Sequence, residues 1–218
     1  MRLIAALFAA TALALLNLVN LAGAGYARFA SQHLDRPDAA ATLAATRIAA
    51  QWPPWSSAHV ALHGWVLAEN RQEGAALAAY LEALRLAPGD PLLWSEYGLA
   101  LARLGQFGPA LTLAVTQGQR LAPNSPAVQR AVADLGLGYW SRGTPEQRAL
   151  WLEGMRRELD RNRAGFLGHV LTRGQGMTFC RDPALRLGEA PWCESIASAL
   201  LGGCYVLTPA QPVPCAAP

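Results

Sequence analysis

Between Ser57 and Pro126 the chain repeats itself at a fixed interval, and no other feature limits its possible folds as strongly. Gly64 returns as Gly98, Leu67 as Leu101 and Ala76 as Ala110, each 34 residues later. Pro54, Pro88 and Pro123 follow at intervals of 34 and 35. The segment Arg85-Leu86-Ala87-Pro88-Gly89-Asp90-Pro91 comes back as Arg120-Leu121-Ala122-Pro123-Asn124-Ser125-Pro126. Glycine inside a helix costs about 1 kcal/mol relative to alanine, so Gly64 and Gly98 are read as places where a second helix comes close. Ala76 and Ala110 are expected to do the same from the facing helix. Pro88 and Pro123 lack the amide that a continuing helix needs, Asp90 and Ser125 are N-caps, and Pro91 and Pro126 sit in the first turn that follows. Each unit is therefore helix, turn, helix, stop. No such unit covers its own apolar face, and about three must stack for stability.

This period and its landmarks resemble the tetratricopeptide repeat. One unit, 57–90, supplies Gly64, Leu67, Ala76, Tyr80, Ala83 and Pro88; the next, 91–125, supplies Trp94, Tyr97-Gly98, Leu101 and Ala110. The resemblance implies an all-α chain, a right-handed superhelix of helix pairs that binds protein partners and is not an enzyme. In that family the first helix of each unit lines the concave side. Carried over position by position, the binding face comprises Ala61, Trp65 and Glu69 in the first unit and Ser95, Leu99 and Arg103 in the second. Alignment through Pro126 adds Arg130 and Asp134.

The flanks extend the pattern. Within 29–56, Pro37 to Gln51 reads as the second helix of a degenerate repeat, with Thr42, Thr46 and Ala49 where Ala76, Tyr80 and Ala83 stand one period on. Trp52-Pro53-Pro54-Trp55 breaks it and is read as closing the end of the stack. Segment 126–172 reads as a divergent helical pair with a following helix. Its first helix runs from Pro126 to about Trp140, and Thr144-Pro145-Glu146-Gln147 has the form of a capping box. The helix so opened carries Leu150, Trp151, Leu152, Met155 and Leu159, with Arg148, Glu153, Arg156, Arg157, Glu158 and Asp160 mostly on the other face. The Gly and Ala landmarks expected from the 34-residue period are absent there. Segment 173–218 reads as irregular up to Pro191, helical to Gly202-Gly203, and then a Pro-rich tail.

The amino-terminal stretch is read separately. From Leu3 to Ala27 no residue is charged, a length that as helix spans about 37 Å against a hydrocarbon core of roughly 30 Å. Residues 1–28 are expected to be a retained transmembrane anchor, with a cleaved signal peptide as the rival. Arg2 on one side and Arg28 and Arg36 on the other leave the positive-inside count undecided. The four cysteines, Cys180, Cys193, Cys204 and Cys215, all lie in the last 39 residues. Their clustering reads as two disulfides, with zinc and free thiols as alternatives, and Cys180–Cys193 with Cys204–Cys215 is the preferred of three connectivities. Disulfides would put the chain beyond the anchor in an oxidising compartment, so the expectation is an inner-membrane, single-pass protein facing the periplasm.

Composition excludes rather than selects. The net charge is +3 with 18 basic residues, all Arg, and acidic residues are interleaved through the arginine run at 142–163, which argues for a solvated helix face and against a nucleic-acid groove. His59 and His63 have the spacing of a metal pair but lack a third ligand and a following Glu, so a packed pair is the expectation. Gly174-Gln175-Gly176 and Gly136-Leu137-Gly138 lack the remaining features of a dinucleotide loop. No catalytic set and no cofactor are expected. Two functional readings remain. One is an anchored adaptor whose groove holds a segment of another envelope or membrane protein. The other is a permanent subunit of a membrane complex serving pilus, secretion, cytochrome-maturation or polysaccharide machinery.

Overall fold

The computed structural model describes residues 24–25, 28, 39–51, 56–200, 205–206 and 213–214. Nearly all of the apolar run, the Trp52–Trp55 break, Cys204 and Cys215 lie outside these. Among the described residues no helix is long and apolar enough to cross a membrane. The chain forms two compact units, Met1–Gln106 and Phe107–Pro218, and the boundary along the chain falls within the second repeat read from the sequence.

In the first unit α1 (Ala39–Gln51), α2 (Ser57–Glu69), α3 (Glu73–Leu86) and α4 (Pro91–Arg103) pack as successive neighbours. The leading helix keeps the register inferred for it: Thr42, Thr46 and Ala49 are buried, as are Ala76, Tyr80 and Ala83 one period on. A Cβ on Gly64 would fall 3.0 Å from Tyr80 Cε1 and 3.3 Å from Ala79 Cβ, so this glycine does let α3 lie against α2. Tyr80 joins Leu67, Ala68, Ala76 and Ala100 in one core cluster, and Val60, Ala83, Leu84 and Leu93 form another. Asp90 caps α4 by accepting from Leu92 N (2.9 Å) and, at 3.4 Å, from Leu93 N.

The turns after α2 and α4 are built alike. Arg71 N donates to Ala68 O and Gln72 N to Leu67 O; one period later Gly105 N donates to Ala102 O and Gln106 N to Leu101 O. These are Schellman closures, which need a left-handed residue. Gly105 adopts φ 75° freely, whereas Arg71 is held at φ 59° with a side chain attached.

The second unit begins with α5 (Pro109–Leu121) and α6 (Pro126–Tyr139), then a 3₁₀ turn (Trp140–Arg142) and α7 (Pro145–Arg161). It continues with α8 (Arg163–Thr172), α9 (Gly176–Arg181) and α10 (Ala190–Leu200). The capping box is formed: Gln147 N donates to Thr144 Oγ1 and Thr144 N to Gln147 Oε1, at 3.2 and 3.0 Å. Gln147 Nε2 also donates to Phe107 O and Thr112 Oγ1, tying the start of α7 to the start of α5. Ser125 Oγ accepts from Val128 N, as its N-cap reading requires.

Four sequence expectations are corrected here. Ala110 is exposed, because α5 begins only at Pro109 and leaves it in the first turn; the contacts inward come from Leu111 and Ala114. Close-approach glycines are present in the divergent pair, though off the 34-residue register. A Cβ on Gly136 would fall 2.7 Å from Met155 Cε, and one on Gly154 only 2.4 Å from Val132 Cγ1. Glu158 belongs to the buried side of α7, where its carboxylate meets the Arg161 guanidinium. Lastly, the irregular segment contains α9. The fold is all-α as expected, with only a two-residue antiparallel ladder of β1 (Tyr205–Val206) and β2 (Val213–Pro214) beside the helices.

Candidate partner-binding face

The face inferred for the first unit is only partly presented. Trp65 on α2 is half-buried and Glu69, at the end of the same helix, is exposed. Arg103, at the end of α4, keeps a third of its side chain in solvent and stands 3.8 Å from Glu73. Ser95 and Leu99 on α4 are buried, at 5% and 9% exposure. The Ser95 hydroxyl is turned back onto Pro91 O at 3.1 Å. Ala61 is partly buried against the cluster of Val60, Ala83, Leu84 and Leu93. Of the residues inferred for this face, Trp65, Glu69 and Arg103 therefore reach solvent, while Ser95 and Leu99 do not.

Three side chains that were not foreseen complete the setting. Tyr80 Oη lies 3.5 Å from Glu96 Oε2. Burial first, then the nearby Glu96 charge, hold the phenol far above its ordinary pKa, so it stays neutral and is the donor of this contact. Glu73 Oε2 is buried with only the long Arg103 contact. Glu73, Glu96 and Arg103 come from two helices and up to 30 residues apart, a convergence that no local spacing announces. The set brings two carboxylates and one guanidinium together over the buried Tyr80 ring. Such charged groups make the stronger, charge-assisted hydrogen bonds.

Arg130 and Asp134 lie on α6 of the second unit. Arg130 is exposed. Asp134 is engaged within its own unit on both oxygens, with Oδ1 2.7 Å from His169 Nε2 and Oδ2 2.9 Å from Arg173 Nη2. It fastens α8 to α6 instead of waiting for a partner. Of the two histidines at metal-pair spacing, His63 places Nδ1 3.0 Å from Thr46 Oγ1. The Thr46 hydroxyl also lies 3.1 Å from the Thr42 and Leu43 carbonyls. Burial, with Arg47 as the smaller cause, lowers the His63 pKa from its ordinary 6.5.

Cys180 and Cys193 form a disulfide with Cα atoms 5.2 Å apart, joining α9 to α10. Behind it Phe179 stacks edge-on with Phe166 and with Trp192, both at 5.8 Å between ring centroids. Arg163 makes a two-point contact with Glu189, at 2.8 and 2.5 Å, just ahead of α10.

No protein-family model matches the sequence, and no curated protein matches it. Solved structures do. MamA residues 41 to the end from Desulfovibrio magneticus RS-1 superposes with a TM-score of 0.53 at 18% identity, covering 78% of this chain and 92% of that one. The MamA RS-1 ArsTM double mutant superposes at 0.52 with 17% identity, covering 78% and 96%. MamA is a tetratricopeptide-repeat protein, and at such identities the likeness speaks to architecture alone. The helix pairs described above therefore have the tetratricopeptide-repeat fold.

Proposed function

We propose that this chain is a non-enzymatic scaffold that holds a segment of another envelope or membrane protein on the first-unit face, and that it is fixed to the inner membrane by its apolar amino-terminal run with the repeats in the periplasm. The observation that carries the scaffold reading is the half-buried Trp65, with the exposed Glu69 one turn on along α2 and the exposed Arg103 at the end of α4, on a repeat fold whose solved counterparts include MamA. Support for the location comes from the uncharged run at Leu3–Ala27 and from the Cys180–Cys193 disulfide, since such bonds persist in oxidising compartments.

One experiment addresses both parts. The chain is crosslinked in cells, recovered from carbonate-washed membranes, and its partners are quantified for wild type, Trp65→Ala with Arg103→Ala, and Glu69→Arg. Because aromatic and Arg side chains carry a disproportionate share of interface energy, capture should fall at least about tenfold in the double variant, with helical content and Tm nearly unchanged. Glu69 is exposed, so Glu69→Arg tests the same face without touching the core. Undiminished capture by both variants would end the groove assignment. A mature chain in the soluble fraction, starting near Gly25, would end the anchor.

A further inference from the structure

A cleft of about 480 Å³ in the second unit lies between the end of α6, the 3₁₀ turn and α9. Gln175, Thr178 and Arg181 line it at intervals of three, which places them on one side of α9, and Trp140, Ser141 and Asp182 line it opposite. Trp140 Nε1 donates to Asp182 Oδ2 at 2.5 Å, and Asp182 Oδ1 accepts from Ala184 N at 2.9 Å. The carboxylate of the cleft is thus held by two neutral donors and not by its neighbour in sequence. The Arg181 side chain makes no hydrogen bond or ion pair among the described residues, whereas Arg157, Arg161, Arg163 and Arg173 of the same unit each meet a carboxylate. Its wall is nevertheless fixed. Cys180, the preceding residue, is bonded to Cys193, and its carbonyl accepts from Arg186 Nε at 2.7 Å. Arg181 is exposed at the end of this stapled helix, so the cleft offers an unpaired positive charge to an anion.

The anion cannot be bare, because Asp182 stands in the same cleft. A carboxylate oxygen has two lone pairs, so Asp182 retains acceptor capacity beside its present donors. A ligand that fits carries a carboxylate for Arg181, with Thr178 and Ser141 hydroxyls as further donors, and N–H groups for Asp182. An acidic residue within a peptide has both. We propose that this cleft is a second binding site, taking an Asp or Glu side chain of a peptide segment against Arg181, with the flanking peptide N–H groups donating to Asp182.

The test uses the full chain labelled with ¹⁵N and reads the Trp140 indole N–H, assigned by its loss in Trp140→Phe. Three probes are titrated: an acetylated, amidated Ala-Glu-Ala tripeptide, its Ala-Gln-Ala counterpart, and glutarate. A charge-assisted hydrogen bond is about twice as strong as a neutral one, so the Glu peptide should shift the indole signal saturably and the other two should bind at least about tenfold more weakly. Arg181→Gln should bring the Glu peptide down to the level of the Gln peptide while the remaining spectrum is unchanged. Equal binding of the Glu and Gln peptides, binding by glutarate as strong as by the Glu peptide, binding untouched by Arg181→Gln, or no shift at all would each overturn the assignment.

Discussion

The hairpin of α2 and α3 and the hairpin of α6 and α7 solve one problem with different parts. In both, a glycine on the first helix faces a large side chain on the second: Gly64 under Tyr80, Gly136 under Met155. The first hairpin needs one such glycine. The second needs a reciprocal one, Gly154 against Val132, and a third in the turn, Gly143, where a Cβ would fall 2.3 Å from the Trp151 ring. Trp151 and Met155 are wholly buried, so this pair fills its interface with bulk from α7 and makes room with missing side chains. The first hairpin does the reverse, with alanines around one tyrosine. Period is thus a consequence of one packing solution, and the same close approach survives when the period is lost.

The stabilising devices differ as well. Among the described residues the first unit relies on caps and Schellman turns, whereas the second adds the Cys180–Cys193 bond. Replacing both cysteines with serine should give the largest effect, about 3 kcal/mol for a loop of this length, concentrated in α9 and α10. Hydrogen exchange resolved along the chain is the measurement. Amides of 57–86 that lost protection to the same extent would erase the distinction between the two units. The second pairing, Cys204 with Cys215, belongs to the same experiment: the ladder pairs Tyr205 with Pro214, the positions just inside these two cysteines. Peptide mapping without reduction should recover them linked.

Glycine replacements sharpen the contrast next. Gly154→Ala drives a methyl into the stem of Val132, which cannot retreat, and should cost about 2 kcal/mol after the gain in helix propensity. Gly136→Ala and Gly64→Ala meet the mobile end of Met155 and the edge of a ring, and denaturant melts should find both within about 1 kcal/mol of wild type. Equal costs at all three would show that the two hairpins pack alike.

Arg71→Gly relieves a left-handed residue where the next period already has Gly105, and should stabilise the first unit by up to about 1 kcal/mol. A loss of stability in thermal melts would mean that the arginine side chain holds the turn. The smallest effect concerns pH. His63 has a lowered pKa in the fold, so the unfolded chain takes up the proton first, and stability is full above the ordinary value of 6.5 and declines as pH falls below it. Urea melts at pH 7.5 and 5.5 should show this decline for wild type and a smaller one for His63→Gln.

Chain-local signals were legible because local chemistry decides them. Asp90, Ser125 and Thr144 cap their helices through atoms two or three residues away, and the register of α1 followed from repetition alone. The short α9 was not legible, since six residues carry too little periodicity to separate helix from turn. Ser95 and Leu99 sit at positions that the repeat assigns to a groove, yet their exposure depends on what packs beside them, which no spacing records. By itself the sequence determined that helices would pair, where they would begin, and that the chain would need neighbours to cover each apolar face. Only the tertiary structure decided which carboxylates meet Arg103, Arg163 and Arg173 and which glycines face bulk in the divergent pair. Among the described residues it also left Arg181 without a carboxylate, because these outcomes rest on contacts between residues tens of positions apart.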